Sequence, residues 1–201
     1  MESDQAVAWI RLPWRLHDIH QAQHCLDTID DLVSNLSAAE IVAEPLAIQR
    51  RETGRELFDA ACALMEEVGL SAAWADRPPL EFSGGQRQRM AIARAIALRP
   101  KFLILDESLS GLDLMVQTQV LDLLLELQRK YSLTYLMISH DLDLVSQVAD
   151  FVAVMHRGQI VEHGTRQQVI EDPQHEYTRR LLASIPAWDC RALDALSARK
   201  S

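Results

Sequence analysis

No glycine precedes Gly54, and no glycine anywhere in the 201 residues is followed by lysine. A phosphate loop of the Gly-Lys-Ser/Thr kind, whose backbone and lysine hold the β- and γ-phosphates of a nucleotide, is therefore not written in this stretch of sequence. Basic residues are in the minority too. Twenty Lys and Arg against 29 Asp and Glu give a formal charge of −9 and a pI of about 5.2, which argues against a protein that grips a nucleic-acid backbone. Only Cys25, Cys62 and Cys190 carry thiols. Odd in number, far apart and without metal spacing, they read as reduced cytosolic thiols rather than a disulfide framework. No apolar run approaches the ~20 residues that span a bilayer, and the acidic N-terminus is unlike a secretory signal. The expected compartment is the cytoplasm, with any membrane role exercised through a partner.

What is present suffices for one core with a subdomain, at 48% hydrophobic residues. The chain is organised around residues 81–107. Ser83 fits a helix cap, Gln86 three positions on can reach back to it, and Gly84 and Gly85 let a ligand approach the backbone. Such a helix start attracts anions. Phe102 to Leu105 form a four-residue apolar run, as in a parallel strand buried on both faces, and Asp106 and Glu107 stand at its carboxyl end, where ligands of open α/β sheets sit.

Before this stretch, residues 1–36 are an irregular mixture without a clear fold. His17, His20 and His24 would share one helix face, the geometry of a metal site, but no fourth ligand is evident and a polar face explains the same spacing. Ser37 and Glu40 make a capping box whose helix should stop at Pro45. A second helix follows Gly54, with Leu57, Ala60, Ala61, Leu64, Met65 and Val68 facing a core and Gly69 at its end. The alanine-rich helix should run from Gly84 to Leu98, and a long one from about Leu114 to Lys130. Leu133 to Ser139 reads as a buried strand, which puts His140 just past a carboxyl end, level with Asp106 and Glu107. Phe151–Met155 and Gln159–Val161 read as a hairpin, Thr165 and Gln168 as a further capping box whose helix ends before Pro173, and the tail to Ser201 as polar and uninformative.

Together these residues resemble the ATP-binding-cassette (ABC) ATPases. Ser83-Gly84-Gly85-Gln86 matches the family signature, Phe102 to Glu107 its Walker B strand, Ser110-Gly111-Leu112-Asp113 its D-loop and His140 its switch histidine. The resemblance covers roughly Ser37 to Pro186, and residues 40–46 and 175–178 are similar to cassettes of peptide and nickel importers. It implies an α/β fold, a partial P-loop NTPase with a helical subdomain, apportioned as 1–36, 37–90 ending in the signature, 91–163 carrying Walker B, D-loop and switch histidine, and 164–201. Relative to the family the chain reads as lacking its first third, and Leu26 stands where the family has a Gln that senses Mg²⁺.

The resemblance also implies roles. ATP and Mg²⁺ would be the cofactors, with Asp106 holding the metal through water, Glu107 as general base and His140 at the γ-phosphate. Ser83, Gly84, Gly85 and Gln86 would bind nucleotide held by a second cassette, and Asp113 would communicate across the pair. Membrane permease subunits are the other expected partners, docking on the helical subdomain near Leu46 or an exposed Trp74, though for a lone Trp simple packing is at least as good a reading. The chain would then be the ATP-binding subunit of a peptide or nickel importer at the inner face of the membrane, inactive alone because the phosphate loop is absent. Two alternatives stay open: a non-catalytic module lending its signature to an intact cassette, and a soluble ABC protein outside transport.

Overall fold

A computed structural model describes residues 5–10, 36–50 and 54–184. In chain order the elements are β1 (Gln5–Ile10), α1 (Ala38–Arg50), α2 (Arg55–Glu67), α3 (Gly84–Ile96), β2 (Phe102–Asp106), α4 (Leu114–Tyr131), β3 (Thr134–Ser139), α5 (Leu142–Val148), β4 (Phe151–His156), β5 (Gln159–Thr165) and α6 (Glu176–Ala183). They fall into two compact units, one drawn from residues 18–133 and the other from 1–17 with 134–201.

In the unit of residues 18–133, α1 starts on the capping box: the Ser37 N–H donates to Glu40 Oε2 at 2.7 Å and the Glu40 N–H to Ser37 Oγ at 3.3 Å. It does not stop at Pro45 but runs through it to Arg50. Ile41, Val42, Ala43, Pro45 and Leu46 are all buried, and burying that face outweighs the ~3 kcal/mol that an interior proline costs a helix. α1 packs on α2 and α3, α2 on α3, and α3 on α4. α2 buries Ala61, Leu64 and Met65 and hands over to Gly69, whose φ of +77° suits a glycine. α3 ends at Ile96, two residues short of the expected Leu98. In β2, Leu103 and Leu105 are buried while Phe102 and Ile104 are half-buried, so the strand is not covered equally on both faces.

The C-terminal ends of α2, α3 and α4 converge on one carboxylate. Glu67, only 11% exposed, receives Lys130 Nζ at 2.5 Å, Arg99 Nη1 at 3.4 Å and the Tyr131 hydroxyl. The Arg99 guanidinium also lies over the Tyr131 ring, 4.2 Å from its centroid.

In the second unit, β1 lies between β3 and β4 and pairs antiparallel with both, Ala6 opposite Ser139 and Gln5 opposite Met155. β5 continues the sheet beyond β4. The expected hairpin is present, with β5 running on to Thr165 rather than ending at Val161. Its two-residue turn has positive φ at both Arg157 (50°) and Gly158 (75°), the type I′ geometry that matches strand twist. The Thr165–Gln168 box opens a single π-helical stretch, Gln167–Glu171, which ends before Pro173. Glu162 then accepts the N–H groups of Gln174 (2.7 Å) and His175 (3.2 Å), and His156 stacks on Tyr177 at 4.0 Å, so α6 is tied to the hairpin.

Candidate functional site

The start of α3 is built as its sequence suggests. Gln86 N–H donates to Ser83 Oγ at 3.3 Å and Ser83 N–H to Gln86 Oε1 at 2.9 Å, so both halves of the capping box are closed. The first N–H groups of the helix, those of Gly84 and Gly85, have no intrahelical acceptor and sit at the positive end of the macrodipole. Ser83 and Gly84 are exposed. Phe82, buried just before the cap, holds this start in place: the half-buried Trp74 meets it edge-on at 6.1 Å, and Arg87 Nη1 donates to its carbonyl at 2.8 Å. Trp74 is thus packed as a support for the signature, the reading that for a lone Trp stands at least level with an exposed docking contact. Arg89 Nη1 donates to the Val68 carbonyl at 2.8 Å and caps α2. These two arginines each grip a backbone carbonyl.

The two glycines differ in their surroundings. A Cβ at Gly84 would sit 3.5 Å from Leu112 Cδ2, an ordinary contact, whereas one at Gly85 would lie 2.4 Å from Val116 Cγ1. Close packing on α4 demands the second glycine, whether or not a ligand approaches. That seat on α4 is fixed by Asp113, whose Oδ1 accepts the N–H groups of Met115 (3.1 Å) and Val116 (3.0 Å). Asp113 is therefore the N-cap of α4, a role that its spacing before a long apolar stripe makes readable.

Asp106 ends β2 and is exposed, while Glu107 is half-buried with a φ of +47°. Its carbonyl accepts both the N–H (3.0 Å) and the hydroxyl (2.6 Å) of Ser110. His140 follows β3 in the other unit and is exposed; Asp141 next to it caps α5 through Leu144 N–H at 3.1 Å. The signature, Asp106, Glu107 and Asp113 thus share one unit, and His140 belongs to the other. His17, His20, His24 and Leu26 lie outside the described residues. Ser110 escaped the sequence reading as an individual residue; its i+3 spacing from Glu107 is the turn signal that points to it.

Chemically, the α3 start fits a phosphate oxygen, since it offers a hydroxyl and helix-end N–H groups. Among the described residues no group of three or more His, Cys, Asp or Glu could hold a metal. A Mg²⁺ beside Asp106 would accordingly be bound largely through nucleotide phosphates and water, as that ion usually is. Burial, then the charges of Asp59, Glu66 and Asp76, push the Cys62 thiol up, away from the thiolate form.

Residues 11–110 match the family model described as ABC transporter, so the match begins upstream of Ser37. The chain is 50% identical over 145 residues to the glutathione import ATP-binding protein GsiA of Escherichia coli O157:H7, covering 72% of this chain and 23% of that protein. With the protein of the same name from Pectobacterium atrosepticum it shares 45% over 163 residues, 81% of this chain and 26% of the relative. It spans about a quarter of the length of these curated relatives. Among solved structures it is similar to the ATP-binding cassette MJ0796 in a dimeric post-hydrolysis state bound to ADP and Pi, with a TM-score of 0.63, 25% identity, and coverage of 75% of this chain and 66% of that one.

Proposed function

Because the chain belongs to the ABC transporter ATPases, we propose that it serves as the ATP-binding part of an importer for peptides, nickel or other small solutes. The observation that carries the reading is the joint placement in one unit of the closed Ser83–Gln86 box, its seat on the Asp113-capped α4, and Asp106-Glu107 at the end of β2. Relatives named for glutathione import support a peptide-like cargo, glutathione being a tripeptide.

In this reading bound Mg-ATP supplies the phosphoryl group and most of the metal's ligands. Ser83 Oγ and the N–H groups of Gly84 and Gly85 bind phosphate oxygens of a nucleotide held by a second cassette, with Gln86 fixing the Ser83 backbone. Asp106 would hold the metal through water, the Glu107 carboxylate would accept the proton of the attacking water, and His140 would orient the γ-phosphate. Phosphoryl transfer relies on positioning and charge more than on covalent chemistry, so the cradle for Glu107 has to come from a phosphate loop outside these 201 residues, which hold no Gly-Lys pair.

No helix of the described residues is long and apolar enough to cross a membrane, so permease subunits are the proposed link to one. Leu46 is buried, which removes it as a docking residue; among the described residues of the helical part, Leu80 (79% exposed), Ile48 (70%) and Phe58 (40%) are the exposed large apolar side chains, and the first two are the most open. Co-expressed with its permeases, the protein is expected in the membrane fraction, and Leu80→Ser with Ile48→Ser should release it. A wild-type protein that stays wholly soluble beside its permeases overturns the transport reading.

A further inference from the structure

We propose that Ser110 is a positioning residue that locks the backbone of Glu107 in a left-handed conformation, and so sets where the general base stands. The assignment rests on the reading of Glu107 as that base. Among the described residues four non-glycines have positive φ: Arg99, Glu107, Ser132 and Arg157. Three have ordinary local causes. Arg99 and Ser132 follow the ends of α3 and α4, where left-handed residues terminate helices, and Arg157 sits in the type I′ turn.

Glu107 ends no helix and joins no hairpin; it directly follows β2. A left-handed backbone is unfavourable for a side chain with a Cβ and persists only where surrounding structure imposes it, which is why such outliers gather at functional positions. Ser110 supplies the imposing contact twice over, through its N–H at 3.0 Å and its hydroxyl at 2.6 Å, both on the Glu107 carbonyl. The turn between them is anchored by the buried Ser108 and Leu109 and released by Gly111, whose φ is +76°. The effect is to break the two-residue alternation of the strand at the catalytic carboxylate, and a misplacement of about 1 Å at such a group can slow a reaction ~100-fold.

The test is a double-mutant cycle on the full chain by denaturant unfolding, joined to turnover in the ATP-hydrolysing assembly that includes the phosphate loop. Glu107→Gly, which relieves the left-handed strain, should raise the folding equilibrium constant about fivefold or more. Ser110→Ala should lower it, and by clearly less in the Glu107→Gly background. In the complex, Ser110→Ala should lower kcat at least tenfold with KM little changed, and Ser110→Thr, which keeps the hydroxyl, should restore it. Equal costs of Ser110→Ala in the two backgrounds, or no stabilisation by Glu107→Gly, overturn the assignment. Turnover unaffected by Glu107→Gln overturns instead the reading on which it rests.

Discussion

A methyl group added at residue 85 meets Val116 at 2.4 Å, and because valine is stiff at χ1 the clash cannot be relieved by simple rotation. Alanine would gain ~1 kcal/mol in helix propensity over glycine, but overpacking costs ~1–3 kcal/mol, so Gly85→Ala should destabilise the protein by about 1 kcal/mol in urea unfolding. Adding Val116→Ala opens the space and should recover the propensity gain; equal loss in both backgrounds would show that Val116 is not the obstacle. A second residue-scale expectation concerns Glu40, whose carboxyl is held below the usual range by the Ser37 N–H and then the Ser37 hydroxyl. With the folded value depressed, its contribution is complete above the unfolded pKa and is lost as pH falls through the folded one. Between about pH 6 and about pH 3, Glu40→Gln should therefore lose stability less steeply than wild type, as read from urea midpoints. The capping boxes were legible in the sequence because their geometry is local. The packing reason for Gly85 was not, since Val116 is 31 positions away, and neither was the capture of Arg87 and Arg89 by the carbonyls of Phe82 and Val68.

At the scale of elements, the helical periodicity of α2, α3 and α4 was enough to place them within a residue or two at each end. It failed at Pro45, where tertiary burial overrides the local preference, and it offered nothing for β1, which pairs on both sides with distant strands. Strand formation of that kind depends on partners more than on residue type. Glu67 shows how the helices are held together. Glu67→Ala would strip Arg99, Lys130 and Tyr131 of their shared acceptor at the ends of three helices. Charged hydrogen bonds contribute ~1.5–3 kcal/mol each when buried, and since Lys130 is 59% and Arg99 47% exposed, a total loss of about 2 kcal/mol is expected. Thermal unfolding checks this, and a midpoint unchanged by Glu67→Ala would show the cluster to be a surface ornament of no energetic weight.

For the molecule as a whole, family membership was legible because signature, Walker B and D-loop residues fall within some thirty consecutive positions, 83–113. In the proposed function they work with parts these residues do not contain: a cradle for the phosphates, and a second cassette to face the signature. Whether Ser83 serves a nucleotide at all therefore decides the proposed function. The direct measurement is the ATPase rate of the purified complex carrying Ser83→Arg, with folding of the variant checked by urea unfolding. A bulky side chain at the helix start would occupy the place of a phosphate oxygen, so hydrolysis should fall to background while the fold survives. Undiminished hydrolysis by a folded Ser83→Arg complex would contradict the account.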